Sequence, residues 1–239
     1  MKIYFACPTG QRRDNIIEEH GYQFGACLTR DIFNNITARK MHWFYDNGAF
    51  SDWKRDRVFD SEKYIDELFK IEAHTRYGKM FDDSLDFSTL EKGEANKYIL
   101  PMPDFIVTPD LPAKGDRSFY YSLKWMEYLE RRFPAFDYYL AVQDGMDPYL
   151  VYEALFEEKF SGLFVGGTKE WKYKTSADWV EMAHDSGAKC HIGGIGTRKS
   201  ILWAKSIGAD SVDSGIAMIH PVHLREVLNI HNDLFWNIA

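Results

Sequence analysis

The sequence predicts an α/β fold and, within that class, a (β/α)8 TIM barrel. Short apolar runs alternate with helix-period segments along nearly the whole chain, which is typical of parallel strands joined by crossover helices. Eight such units can be counted in the 239 residues, and a closed barrel of eight units commonly takes about 250 residues as one domain. We therefore expect a single domain over 1–239, with a polar, aperiodic insertion at about 77–102.

Strands are predicted where short apolar runs are bounded by turn residues. In chain order these runs are 2–6, 23–28, 42–46, 103–108, 138–143, 162–166, 189–193 and 209–213. Helices are predicted between them, at about 12–20, 30–39, 61–76, 117–132, 148–158, 176–186, 198–206 and 222–231. Ser61, Ser176 and Thr197 provide start signals, and Gly187 and Gly208 provide stop signals.

A doubly wound open sheet is the competing architecture. Its dinucleotide-binding version is disfavoured because no GxGxxG motif follows the first strand.

The composition is that of a soluble globular protein without a disulfide framework. Hydrophobic residues make up 45% of the chain, and no apolar run approaches the roughly 20 residues that a membrane helix needs. Cys7, Cys27 and Cys190 lie far apart without CxxC spacing, which disfavours disulfides and a structural zinc site and favours a reducing compartment. We therefore expect a cytoplasmic protein that does not associate with membranes.

The charge pattern points in two directions. A net charge of −7 disfavours a nonspecific nucleic-acid coat. Basic residues nevertheless concentrate in or just after the loops that follow strands, whereas acidic residues crowd the helices, so one basic face can attract a polyanion. Ordinary surface scatter is the alternative explanation. The expected nucleic-acid contacts are Arg12, Arg13, Lys54, Arg55, Lys169, Lys172, Arg198 and Lys199.

Polar residues follow several predicted strands at their carboxyl ends, where the active sites of such barrels lie. Asp46, Gln143 and Asp213 end the third, fifth and eighth predicted strands, and Asp110 follows the fourth. Aspartates also serve as turn and cap residues, but three of them converging on one mouth favour an active site.

The GGIGT stretch after the seventh strand has a separate interpretation. Its glycines permit close backbone approach to an anion, and Thr197 begins a helix, so Gly194, Gly196 and Thr197 are candidate contacts for a sugar or phosphate. Tight-turn glycines alone would give the same pattern. His191 shares pleat parity with Gly193 and is expected to face the barrel interior, either as a buried hydrogen-bonded histidine or as a group that contacts the nucleotide or orients Asp213.

Five segments, in the right order, resemble the tRNA-guanine transglycosylases. They are FYDNGAF at 44–50, TPDLP at 108–112, AVQDG at about 140–145, SGLFVGGT at 161–168, and the run from CHIGGIGT to DSVDSG at 190–215. The chain is shorter than those enzymes and lacks the cysteines of their zinc-binding subdomain. Its compact form and its His191-x-x-Gly194-x-Gly196 motif look more like the DpdA-type DNA transglycosylases of phages and bacteria, which exchange guanine in DNA for a 7-deazaguanine such as preQ0.

The resemblance implies a glycosyltransferase, specifically a pentosyltransferase, in which Asp213 is the nucleophile at the sugar anomeric carbon and Asp46 is a general acid/base. Exchange with retention needs two displacements, hence a carboxylate that forms a covalent glycosyl intermediate. By analogy with retaining glycosidases, the second carboxylate should lie about 5–6 Å away. The chemistry requires neither a metal nor a redox cofactor.

The resemblance also implies a base-binding site. Asp110, Gln143 and the backbone of Gly162 and Leu163 match the groups that hydrogen-bond guanine or 7-deazaguanine, and Phe50 matches the aromatic that stacks on the base. The target base must leave the helical stack, at a cost of a few kcal/mol that stacking partly offsets.

Other readings remain open from the residues alone. The partners expected are DNA and the free 7-deazaguanine base, with tRNA as the alternative nucleic acid; a helper protein that opens the duplex, or a homodimer, is compatible with this. A phosphate- or flavin-binding TIM-barrel enzyme of another class is the second alternative. A non-catalytic subunit is the third, although the presence of both candidate catalytic aspartates counts against it. If the source is a virus, the location is the host cytoplasm.

Overall fold

The computed structural model describes residues 1–6, 10–20, 23–29, 35–77, 100–157 and 159–236. Most of the insertion expected at 77–102 lies outside these residues, as does Cys7. Eight strands pair in parallel in chain order, and the last pairs with the first to close the barrel. The predicted (β/α)8 architecture is therefore confirmed, and the open sheet is excluded.

The strands are short, and helices follow them in turn around the barrel. The strands are β1 Lys2–Ala6, β2 Gly25–Thr29, β3 Trp43–Asp46, β4 Ile106–Val107, β5 Tyr138–Val142, β6 Gly162–Val165, β7 Lys189–Ile192 and β8 Ser211–Ser214. The helices of the described residues are α1 Gly10–His20, α2 Asn35–Lys40, α3 Ala49–Lys54, α4 Ser61–Tyr77, α5 Asp116–Arg132, α6 Pro148–Phe156, α7 Lys169–Asp185, α8 Arg198–Ser206, α9 Ile216–Ile219 and α10 Pro221–Trp236.

Two layers of core follow from the alternation of side chains along each strand. One set of strand residues packs outward against the helices, as Leu28, Leu140 and Ile192 do. The other set fills the barrel interior with an aromatic layer, in which the Phe105 and Tyr139 rings stack at 3.9 Å and the Phe44 and Phe105 rings at 4.5 Å. The members of this aromatic layer are Tyr4, Phe44, Phe105, Tyr139 and Phe164.

The predicted start of α7 is wrong by seven residues. The helix begins at Lys169 rather than Ser176, because the Thr168 side chain accepts a hydrogen bond from the Trp171 amide and caps it. Ser176 is instead fully buried inside the helix. The earlier start matters for the site, because it places Lys172 on an ordered first turn.

Three further differences from the predicted elements have local causes. β4 is shorter than the expected 103–108, and Pro103 has no N–H to donate to a neighbouring strand. The short helices α3 and α9 were not predicted; α3 begins after Gly48, which has φ 77°. By contrast, Gly187 and Gly208 follow α7 and α8 with φ values of 74° and 86°, as their stop signals predicted.

No helix among the described ranges is both long enough and apolar enough to cross a bilayer. Cys27 and Cys190 are both buried. The same part of the chain has no group of three or more His, Cys, Asp or Glu side chains placed to hold a metal ion.

Candidate functional site

Asp213 lies on β8 at the carboxyl mouth of the barrel and is 9% exposed. Its Oδ1 atom accepts two hydrogen bonds, from the Nε2 of His191 at 3.1 Å and from the backbone N–H of Gly194 at 2.9 Å. No described residue donates a hydrogen bond to its Oδ2 atom. The described residues thus fix one carboxylate oxygen of Asp213 and donate no hydrogen bond to the other.

His191 faces the barrel interior, as its pleat parity predicted, and is fully buried. Its ring stacks on Phe164 at 4.9 Å, and its Nδ1 lies 2.9 Å from the Oγ of Ser211. Because an ionised carboxylate can only accept, Nε2 carries the proton that it donates to Asp213, and Nδ1 accepts from Ser211. Burial lowers the pKa of His191 below its ordinary value, and Asp213 opposes that shift, so the ring serves as a neutral donor that orients Asp213.

The Gly193–Ile195 loop is held by both neighbouring strands. The N–H of Gly193 donates to the carbonyl of Val165 on β6 at 3.0 Å, and the N–H of Ile195 donates to the carbonyl of Asp213 on β8 at 2.8 Å. Gly194, between them, has φ 66°, a conformation that glycine adopts without steric cost. The loop therefore presents the Gly194 N–H to Asp213 from a fixed backbone.

Lys172 enters the same mouth from the first turn of α7. Its Nζ donates to the carbonyl of Gly193 at 2.6 Å. Burial lowers the pKa of Lys172, while the charges of Asp213 and Asp144 raise it in opposition. The ammonium group of Lys172 thus bonds to the loop that holds Asp213, and its contact with nucleic acid stays a prediction.

A second carboxyl group, Asp110, lies at the carboxyl end of β4 in a network of amides. Asn47 donates to its Oδ1 at 2.9 Å, and the Nε2 of Gln143 donates to its Oδ2 at 3.2 Å. Burial raises the pKa of Asp110 to about 6 against the effect of these two hydrogen bonds. Asp110 can therefore change protonation state close to neutral pH.

The side-chain amide of Gln143 forms hydrogen bonds mainly within the protein. Its Nε2 also donates to Ser118 at 2.8 Å, and its Oε1 accepts from the backbone N–H of Ala113. Ala113 has φ 59°, a strained value for a residue with a side chain. Both amide hydrogens of Gln143 are thus occupied, and the residue positions Asp110 and the loop after β4.

Asp46, the last residue of β3, is partly buried, and its Oδ1 accepts from the N–H of Gly48 at 3.3 Å. It follows Phe44 by two positions and so shares its inward-facing side of the strand. Asp46 and Asp213 both occupy carboxyl ends, and β1 and β2 separate their strands around the barrel.

Phe50 lies on α3, just beyond Asp46, and is 53% exposed. Its ring is 5.8 Å from that of Trp53, which is also half exposed, and the Nζ of Lys54 lies 4.8 Å from the Phe50 centroid. An exposed aromatic pair with a cation beside it is suited to stacking on a base.

The predicted base contacts at Gly162 and Leu163 are wrong. Gly162 is the first residue of β6 and pairs with Lys189, the first residue of β7, so both lie at the amino end, opposite Asp213. A Cβ at Gly162 would meet the Tyr139 ring at 2.5 Å, which explains the glycine by packing. The glycine pair that does reach the mouth is Gly166–Gly167, directly after β6, and its position at the carboxyl end of an apolar run is the sequence signal that could have identified it.

Gly196 and Thr197 have structural roles in the turn before α8. A Cβ at Gly196 would meet the Cγ2 of Ile216 at 2.2 Å. Thr197 forms a capping box with Ser200, in which each side chain accepts from the other residue's backbone N–H. Of the three residues expected to bind a sugar or phosphate in this turn, Gly194 alone reaches Asp213.

The basic residues separate into two groups. Arg13 is 8% exposed and pairs with Asp14 at 2.9 Å, so its expected contact with nucleic acid is wrong. Arg12 donates to the carbonyl of Met218. The remaining predicted contacts are exposed, namely Lys54, Arg55, Lys169, Arg198 and Lys199.

A cleft of about 690 Å³ lies at the other end of the barrel, against Asp104, Asp137, Lys159 and Lys189. These residues begin strands or precede them, so the cleft does not coincide with the polar cluster around Asp213. The site is therefore identified by its chemistry rather than by cavity volume.

Comparison with protein-family models and with curated proteins gave no match. Among solved structures, the chain is similar to RipC from Yersinia pestis, with a TM-score of 0.44 and 12% identity over 97% of this chain and 94% of that chain. A likeness of this size does not identify an activity.

Proposed function

We propose that this chain is a glycosyltransferase that exchanges guanine in DNA for a 7-deazaguanine base through a covalent intermediate on Asp213. The observation that carries the proposal is the asymmetry of the Asp213 carboxylate. Its Oδ1 is held by His191 and Gly194, while no described residue donates a hydrogen bond to Oδ2. A nucleophile needs this combination of fixed orientation and one free oxygen.

In the first step, Oδ2 of Asp213 attacks C1′ of the sugar. The C1′–N9 bond breaks, its electron pair leaves on guanine, and a proton from the general acid neutralises the departing base. In the second step, the ring nitrogen of the incoming base attacks C1′, gives up its proton to the general base, and displaces the Asp213 carboxylate. Asp46 is assigned the acid/base role, since it lies at the same mouth on an inward-facing position.

Base recognition is assigned to Asp110. Once ionised, its carboxylate can accept the N1–H and N2–H of guanine in addition to its contacts with Asn47 and Gln143, because a carboxylate has about four acceptor sites. Phe50 and Trp53 provide an exposed surface for stacking an unpaired base. The exposed basic residues lie near the same loops, which supports DNA as the polyanionic partner.

Incorporation of radiolabelled guanine into duplex DNA by the purified chain tests this proposal. We expect Asp213→Asn to reduce the exchange rate by about 10⁴-fold or more, since the nucleophile is lost. The exposed Asp178→Asn on α7 is the matched control and should retain full activity. A DNA–protein adduct that survives denaturing electrophoresis should form with wild-type protein and not with Asp213→Asn.

Two results would contradict the proposal. Full exchange by Asp213→Asn would remove the mechanism. Incorporation into tRNA and not into DNA would keep the mechanism and change the substrate.

A further inference from the structure

We infer that Lys172 is a positioning residue for Asp213 and acts on it through the Gly193–Gly194 peptide group. Its role in catalysis rests on the function proposed above, whereas the contact itself does not. The key observation is that a single peptide group joins the two side chains. Its carbonyl oxygen accepts from the Nζ of Lys172 at 2.6 Å, and its N–H donates to the Oδ1 of Asp213 at 2.9 Å.

Hydrogen bonds in a chain polarise one another. An ammonium group that donates to a peptide carbonyl draws electron density toward the oxygen and makes the N–H of that peptide a stronger donor. The Lys172 charge therefore strengthens the hydrogen bond that holds Asp213 Oδ1. It does so from the side of the peptide opposite to Asp213, which leaves Oδ2 free.

The surrounding backbone keeps this peptide in one orientation. The amides on either side of it are bonded to β6 and β8, and the positive φ of Gly194 turns the peptide toward Asp213. The charged and titratable groups that act on Lys172 are Asp213 and Asp144, and Lys172 in turn acts on His191. Lys172 is thus partly buried, and the charges of Asp213 and Asp144 act on its ammonium group.

The sequence allows a direct measurement of this contact. Among the 17 glycines, only Gly166–Gly167 and Gly193–Gly194 are adjacent pairs. In a sample labelled only in glycine, with ¹³C carbonyl and ¹⁵N, a carbonyl-to-amide correlation experiment therefore gives two signals. One reports the Gly193–Gly194 peptide, and the other is an internal reference.

We expect Lys172→Met to move the Gly193 carbonyl and Gly194 amide signals in the direction of a weaker hydrogen bond, with the Gly167 signal little changed. Lys172→Arg should preserve the wild-type positions, since it restores a cationic donor. Lys174→Met, an exposed lysine on the same helix, is the matched control. In base exchange, Lys172→Met should lower kcat by about tenfold to hundredfold with little change in KM for the base, and Lys172→Arg should recover part of that loss.

The outcomes separate this inference from the proposed function. Unchanged Gly193–Gly194 signals in a folded Lys172→Met would overturn the inference whether or not the chain exchanges bases. Shifted signals with wild-type kcat would also overturn the positioning role. If the Gly193–Gly194 signals shift but the chain is inactive on DNA and tRNA, the contact from Lys172 to Asp213 is established. Only the proposed function is then contradicted.

Discussion

Asp213 and Asp110 are both carboxyl groups at the mouth of the barrel, yet their neighbours suit them to different tasks. Within the described ranges, Asp213 receives hydrogen bonds on one oxygen only, from His191 and Gly194. Asp110 receives one on each oxygen, from Asn47 and Gln143. A nucleophile needs a free oxygen, and a recognition group needs a fixed edge, so the proposed function assigns nucleophilic attack to Asp213 and base recognition to Asp110.

The proposed role of Asp110 in base recognition predicts that base binding depends on pH. Because burial raises the pKa of Asp110 to about 6, its ionised form is lost as the pH falls through that value, and with it the acceptor for guanine N–H groups. We expect the affinity for free guanine, measured by calorimetry between pH 5 and 8, to fall about tenfold for each unit below about 6. Asp110→Asn should bind weakly at every pH. A wild-type affinity that rises on acidification would contradict this assignment.

At the level of the elements, the mouth depends on how α7 and the loop before α8 are anchored. Thr168 caps α7 and also binds the Asp144 carboxylate. Its backbone N–H donates to Asp144 Oδ2 and its hydroxyl donates to Oδ1, both at 2.7 Å. One residue thus starts the helix that carries Lys172 and joins it to the end of β5.

Removal of the Thr168 side chain should lower the stability of the fold, whereas a substitution that keeps the hydroxyl group should be tolerated. We expect Thr168→Ala to lower the free energy of unfolding by about 1 kcal/mol, the usual effect of losing an N-cap side chain. Thr168→Ser, which keeps the hydroxyl, should change it by less than half as much. Urea denaturation of the three proteins measures the difference, and equal losses for Ala and Ser would show that the hydroxyl is not the stabilising group.

For the whole molecule, the important feature is where the exposed basic residues lie on the barrel. The net charge is −7, but exposed lysines and arginines follow strands β3, β6 and β7, on the side of Asp213. The opposite end has its own lysines, such as Lys189, which serve as a comparison because the proposed DNA-binding face does not include them.

The salt dependence of DNA binding should distinguish the two ends. Each phosphate contact releases counterions, so Lys169→Met should weaken binding and reduce the slope of log K against log salt by about one. Lys189→Met should leave both unchanged. Fluorescence anisotropy with duplex DNA over a range of salt concentrations measures this, and equal effects of the two substitutions would place DNA elsewhere on the molecule.

Sequence reasoning succeeded where the signal is local or periodic. The alternation of apolar runs and helical segments predicted the closed barrel, and pleat parity placed His191 in the interior. It failed at Ser176, where a plausible cap lies inside a helix that Thr168 had already begun. It also failed at Gly162 and Leu163. Glycines occur at both ends of β6, and the resemblance was matched to the amino end instead of to Gly166–Gly167 at the carboxyl end.

The sequence by itself determined the architecture and the set of polar residues at the strand ends, because both depend on order along the chain. Only the tertiary structure decided which atoms meet. Register and side-chain direction are settled by strand pairing. Residue spacing therefore could not predict the contact between Lys172 and Gly193 or the different hydrogen bonding of the two Asp213 oxygens. It could not predict the burial of Arg13 either. These depend on residues that are distant in the chain and adjacent only after the barrel closes.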